Sequence, residues 1–334
     1  MKSALGACAL FGTALLVAVA AACAFGVEPI GIGRALSEPA SLDATILFAA
    51  RLPRVALAAL AGAGLAVVGV AFQGLLRNPL ADPYVLGVSG GAALGATLAL
   101  IAGVGVTTAL GASLVSAAAL AGALGATVLV YGIARATGDT SHMTILLAGV
   151  VVNAIASALI TFIKTLVTAT KAQELLFWLM GFLDVPSRAE LGLCAVLVAA
   201  GSLWLLAEAG RLNLLALGAE PASHLGLDVP RFERRVFFAA SLIVAAVVSL
   251  TGLIGFIGLI VPHAVRRVLG PDHRAVLPAS LLLGATALVT CDLGARVAFR
   301  FIGTEPPVGA VTALLGGPMF LVLLWKTRAR ASAS

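Results

Sequence analysis

From Val55 to Leu76 the chain runs without one charged side chain. A helix needs about 20 such residues to cross the hydrocarbon core of a bilayer. Comparable runs recur at residues 4–26, 52–76, 85–102, 109–133, 144–163, 190–207, 236–252, 253–268, 276–296 and 308–325. A chain of 334 residues that is 61% hydrophobic and 11% charged has more apolar surface than a water-soluble fold can hide. The reading is an all-α, polytopic membrane protein with about ten transmembrane helices in one domain, residues 1–334. The runs are continuous rather than alternating, which argues against a membrane β-barrel. The 37 glycines fit helices that approach one another closely. The seventh and eighth runs merge between Val236 and Leu269, with Gly252, Gly255 and Gly258 marking the break. The first run is long for a cleaved leader and reads as a span.

The net charge of +6 sits in short loops between spans. It therefore reads as topology-setting charge, with no nucleic-acid surface. Most of the lysines and arginines fall on the side of the N-terminus, which places both termini in the cytoplasm of a multi-pass inner-membrane protein. Four exceptions, Arg51, Arg54, Arg296 and Arg300, fall on the outer side and need a special reason. Arg51 and Arg54 flank the entrance of the second span, at the water boundary. Asp292 and Arg296 are four apart on one helix face. On the residues alone, local neutralisation and a docking surface shared with Arg51 and Arg54 weigh equally. Two loops exceed turn length. The outer one carries an amphipathic helix at about 172–182. The inner one, about 208–235, carries a short helix with Pro221 in its first turn and Gly226 at its end.

No GxxxxGK[ST] phosphate loop and no HExxH helix occurs. The four histidines, His142, His224, His263 and His273, show no metal-ligand spacing. The four cysteines lie in apolar runs without a CxxC pair. Ser89 in Gly-Val-Ser-Gly invites comparison with an intramembrane serine protease, but that chemistry needs a histidine at the same depth. Ser in a Gly-rich span is more often a packing residue. No catalytic residue, metal site or cofactor is expected.

Several motifs recur in a fixed order: Arg51-Leu-Pro-Arg54; Gln73 with Arg77-Asn-Pro-Leu-Ala-Asp-Pro83; Leu86-Gly-Val-Ser-Gly-Gly-Ala92; Leu146-Leu-Ala-Gly149; Phe177-Trp-Leu-Met-Gly181; Leu214-Leu-Ala-Leu-Gly218; Gly255-Phe-Ile-Gly-Leu-Ile-Val-Pro-His263; and Pro307-Val-Gly309 with Gly316. From about residue 50 onward the chain resembles the FecCD family of ABC importer permeases, whose best-known bundle is that of the cobalamin permease.

The resemblance implies a homodimer in the lipid bilayer with its substrate path on the two-fold axis. It also implies two separate ATP-binding cassette subunits on the inner face and a periplasmic substrate-binding protein outside. The cargo class is a metal chelate, with a ferric siderophore favoured over haem or cobalamin. By the same resemblance Arg51, Arg54 and Arg296 dock the binding protein, and Gly218, Glu220, Ala222, Leu225 and Gly226 couple to the ATPase. Asn78 and Leu80 match the inner gate loop. His142 falls in the loop before the fifth span, where the cobalamin permease has a small hydroxyl residue. Thr165 and Thr168 match the outer gate, with Lys164 beside them as a departure. The rival reading is an ion-coupled secondary transporter, which would carry ionisable residues deep in its spans.

Overall fold

The computed structural model describes residues 2–104, 108–137 and 142–331, with side chains described from 4 to 321 except those of Ala109 and His142. Among these residues there is no strand. The helices are α1 (Lys2–Ala24), α2 (Ile32–Ser37), α3 (Leu42–Thr45), α4 (Leu52–Leu75), α5 (Val88–Ile101), α6 (Ala109–Ala136), α7 (His142–Leu166), α8 (Ala169–Leu179), α9 (Arg188–Ala207), α10 (Ala209–Ala216), α11 (Ala219–His224), α12 (Val229–Thr251), α13 (Ile257–Leu269), α14 (His273–Ile302) and α15 (Val308–Ala331).

Each of the ten expected spans corresponds to a helix. Seven helical stretches among the described residues are long and apolar enough to cross a bilayer, whereas α5 and the described part of α15 are shorter. Helix α13 has 13 residues, buries one face and carries Arg266 and Arg267 in its last turn. The break before it comes where Gly252 turns to φ +63, and Phe256 follows at φ +70.

The second span begins earlier than expected. Leu42–Leu75 is one continuous helical stretch, interrupted only by a π-turn over Ile46–Arg51. Pro53 lies two residues beyond and has no N–H to donate to the preceding turn. The chain takes up one extra residue there, and the Leu52 N–H bonds to Leu47 O. Such single π-turns carry local function more often than chance. Here the turn places Arg51 inside the bundle.

Helix α4 is the axis of the molecule. Every residue from Ala61 to Leu76 is buried, with α1, α9, α12, α13 and α14 packed around it. In lipid no hydrophobic force drives helices together, so close packing must hold them. Two glycine pairs make that packing possible. A Cβ on Gly62 would overlap the backbone of Gly284 in α14, and one on Gly69 would overlap Gly258 in α13. Helices α5, α6 and α7 form a second group, joined to the first through α12. Phe72, Phe237, Phe238 and Tyr131 fill part of this junction, with Phe237 and Phe238 edge to face at 5.5 Å. Large apolar side chains such as Val128, Leu147, Ile155 and Leu203 face outward, as lipid-exposed surfaces do.

The amphipathic helix expected at about 172–182 exists as α8, three residues earlier, and the chain after it threads into the bundle. Phe182 N donates to Thr251 O at 2.9 Å, and Gly309 N donates to Gly181 O at 3.1 Å. Helix α9 opens on a capping box between Ser187 and Glu190, which satisfies two N-terminal donors reciprocally.

Candidate functional site

Three regions hold the residues singled out in the sequence. The first lies where α1 and α14 finish and α4 starts. The C-terminus of α1 leaves backbone carbonyls without partners inside the helix. Arg51 Nη1 donates to Cys23 O at 2.7 Å and to Ala24 O at 2.8 Å, and Nη2 donates to Glu28 O. Arg296 Nη1 donates to Ala22 O at 3.0 Å. Arg54 donates to Asp292 Oδ1 through Nε and Nη2, and also reaches Glu305. Arg296 Nε lies 2.9 Å from Asp292 Oδ2, an ion pair whose angle falls short of a hydrogen bond.

This corrects the expectation of an exposed guanidinium cluster at the water boundary. Arg51 is 5% exposed and Arg296 4%, and the Arg54 side chain is 13% exposed. The cost of burying three cations is offset by two carboxylates and by the carbonyl end of a helix dipole. Of the two readings of Asp292 and Arg296, the geometry realises neutralisation. Arg300, one turn beyond, remains exposed and donates to Val27 O at 3.3 Å.

The second region is a concave surface of about 530 Å³ between α5, α7 and α8. Its α7 wall is a polar stripe, Asn153, Ser157, Thr161 and Lys164, at the 4-4-3 spacing that keeps residues on one helix face. Tyr84, Ser89 and Leu253 complete the lining with small and apolar neighbours. A hydrogen-bonded clasp fixes this wall. Asn153 Nδ2 donates to Tyr84 O at 2.8 Å, while Asn153 Oδ1 accepts from Gly90 N at 2.9 Å. That second bond satisfies an N-terminal amide of α5. Ser89 Oγ also donates to Tyr84 O, and Tyr84 Oη donates to Ile254 O at 2.8 Å while accepting from Ile254 N. Ser89 is therefore a packing residue. His263, the histidine a protease reading would require, is not among the residues lining this surface.

Tyr84 and Asn153 went unnoticed in the sequence. An amide inside an apolar run is the signal that could have found Asn153, since polar groups in a span must find a partner. Thr165 and Thr168, singled out as a gate, lie beside this surface rather than on it. Thr165 Oγ1 donates to Phe162 O at 2.7 Å, and Thr168 precedes α8 without a side-chain cap. Lys164 is the residue of that group that lines the surface. The backbone of His142 starts α7, and its side chain lies outside the described residues.

The third region is the opposite end of the bundle. Asn78 Oδ1 accepts from Leu80 N at 2.9 Å, closing a local turn in which Leu80 is 43% exposed. Asp82 caps the following turn by accepting from Tyr84 N at 2.8 Å, and burial raises its carboxyl above the usual range. Gln73 donates weakly to Gly258 O and Leu259 O and accepts from Arg266. Helix α11 forms where expected, with Pro221 in its first turn and Gly226 at φ +85 just beyond its end. Gly218 at φ +121 makes the corner between α10 and α11. Glu220 is exposed and Leu225 is 60% exposed. Ala222 is fully buried, so it seats the helix and presents no contact. Leu217, 63% exposed, was overlooked on this face. Asn213 of α10 donates to Asp272 Oδ1 at 2.6 Å and accepts from His273 N at 2.9 Å, fastening this element to the start of α14.

Among the described residues no cluster of three or more metal-ligating side chains occurs. The described residues thus form a helical bundle with a polar-striped concavity and a separate structured element at one end. The FecCD transport family model matches residues 12–326. The chain is 43% identical over 322 residues to the cobalamin import system permease protein BtuC of Halobacterium salinarum, covering 95% of this chain and 80% of that one. It is 37% identical over 282 residues to the hemin transport system permease protein HmuU of Yersinia pestis, covering 84% of each. A solved structure described as an inward-facing metal-chelate type ABC transporter superposes with a TM-score of 0.82 at 30% identity, covering 97% of this chain and 99% of that one. This chain belongs to the FecCD transport family, a family of ABC importer permeases.

Proposed function

We propose that the chain is the transmembrane subunit of an importer that takes a metal chelate from a periplasmic binding protein. Two copies pair around a shared path in the bacterial inner membrane, with both termini in the cytoplasm, and two ATP-binding cassette subunits supply the energy. The observation that carries this reading is the concavity between α5, α7 and α8: its α7 wall joins polar groups to a helix whose remaining outward face is apolar. A second copy can close such a surface into a conduit. The cobalamin and hemin relatives support a large metal-bearing cargo, and a ferric siderophore belongs to the same chemical class.

Energy enters through α10 and α11. Gly218, Glu220, Leu225 and Gly226, joined by Leu217, form the contact face, while Ala222 keeps it seated. Asn213 passes movement of this element to Asp272 and His273, hence to α14, and α14 packs along α4. Asn78 and Leu80 gate the inner end, and Thr165, Thr168 and His142 act at the ends of α7. On the outer face an acidic carrier engages the rim at Arg54 and Arg300, and Arg51 and Arg296 hold that rim in place from beneath. Charge on a rim steers encounter and sets register more than it adds affinity.

The rival, ion-coupled transport, needs an ionisable group free to change its proton or ion inside a span. Asp292, the buried carboxylate of α14, is held by two arginines, which disfavours it. The test is uptake into proteoliposomes of the chain assembled with its ATPase and binding protein. The reading requires uptake that depends on ATP and is unaffected by collapsing ion gradients. Uptake by the chain alone, driven by a gradient, would sink it.

A further inference from the structure

We infer that the concavity selects cargo by charge, and that Lys164 makes it a site for anionic chelates. This deepens the proposed function and rests on it. Most polar groups lining the surface are already engaged. Asn153 spends both ends of its amide on Tyr84 O and Gly90 N. Ser89 Oγ donates to Tyr84 O, Tyr84 Oη is bonded to Ile254, and Thr161 Oγ1 donates to Ser157 O at 2.8 Å. The Ser157 hydroxyl and the Lys164 ammonium are left to meet a ligand. Among the described residues no carboxylate lines the surface. Among the described residues Lys164 forms no ion pair, although Arg34, Arg54, Arg211 and Arg296 all do. Lys164 lies in the last turn of α7, where a cation also complements the helix dipole. That role asks only for a position near the helix end. It does not require a place on the same stripe as Asn153, Ser157 and Thr161. An unneutralised ammonium in a cleft with low-dielectric walls enriches anions locally, and a homodimer would bring two of them to one path. The geometry therefore favours chelates that carry carboxylates or catecholates over uncharged ones.

The test separates this inference from the transport reading, because it needs neither ATP nor partner chains. The four native cysteines are replaced, Ser157→Cys is introduced, and the protein is labelled in detergent. One reagent is the anionic sulfonatoethyl methanethiosulfonate and the other its cationic trimethylammonioethyl counterpart, each normalised to its rate with a free thiol. Lys164→Gln should lower the anionic-to-cationic rate ratio about tenfold, the low end of what a charged cleft supplies, and Lys164→Glu should invert it. A ratio indifferent to residue 164 would overturn the inference. A ferric tricatecholate, which is anionic, should also slow the labelling more than an uncharged ferric trihydroxamate, and Lys164→Gln should erase that difference. Equal protection by both chelates, or none by either, counts against it. Failure of the transport reading would appear instead as absent ATP-driven uptake while the labelling ratios stand.

Discussion

Arg54 places Nε and Nη2 on one oxygen of Asp292, at 2.9 and 2.7 Å, joining the start of α4 to the end of α14 across 238 residues of chain. The other oxygen faces Arg296. One carboxylate thus balances two buried guanidiniums. Removing one partner of a buried pair leaves an unpaired charge and costs about 3–5 kcal/mol. Asp292→Asn keeps the shape and removes the charge, so it should lower the thermal midpoint in detergent sharply. Arg300→Gln, at an exposed position on the same helix, should leave it nearly unchanged. Equal midpoints for the two variants would show that the network does not hold these helices together.

Arg51 acts as the cap that α1 lacks. The last turn of α1 contains no basic residue, and Arg51 supplies donors to Cys23 O and Ala24 O from the neighbouring span. Arg51→Met fills similar space but leaves those carbonyls unsatisfied, at about 1–3 kcal/mol for a buried polar group. Limited proteolysis should then cut the segment between α1 and α2 several times faster than in the parent protein. Unchanged cleavage would mean that Arg296 and solvent suffice.

The contact between Gly69 and Gly258 leaves no room for a methyl group. Gly69→Ala must push α4 away from α13, and overpacking of this kind typically costs about 1–3 kcal/mol or more. The variant should yield less monodisperse protein. Ala substitution at Gly192, where a Cβ meets nothing, should be neutral. A stable Gly69→Ala protein would contradict the close backbone contact.

Asp272 ties α14 to the α10–α11 element, and its pH dependence follows from its bonds. The side-chain hydrogen bond from Asn213 and the backbone donor of Arg274 hold its carboxyl below the usual value. A depressed folded value means that the carboxylate stabilises the folded state above the unfolded value of about 3.9, and that this contribution is lost as pH falls through the folded value. Asn213→Ala removes the principal cause. Parent and variant should differ most at neutral pH and converge below about pH 4, read as thermal midpoints in detergent. A gap constant down to pH 3 would show that Asn213 acts through His273 alone.

Much of the architecture was legible in advance, because lipid imposes a strict rule. A span must satisfy its own backbone and show an apolar surface, so uninterrupted apolar runs announce helices one by one. The break at Gly252 and the corner at Gly226 were readable for a related reason: each needs a backbone angle that glycine adopts freely. The burial of Arg51 and Arg296 was not readable. Sequence spacing puts Arg51 and Arg54 at the edge of an apolar run, which looks like a water boundary. The helix actually continues back to Leu42, Arg54 meets carboxylates more than 230 positions away, and Arg51 meets the backbone carbonyls at the end of α1.

The residues alone determined an all-helical membrane chain, its order of spans and its membership of a transport family, since those depend on local hydrophobicity and ordered motifs. The tertiary structure decided that Arg51 and Arg296 are buried ties to the end of α1, that Arg54 is paired with Asp292 and Glu305, and that Asn153 clasps α5. It also decided that Lys164 faces a concavity. Each of these turns on which groups from distant segments meet, and burial raises or cancels the cost of a charge only once its partners are in place.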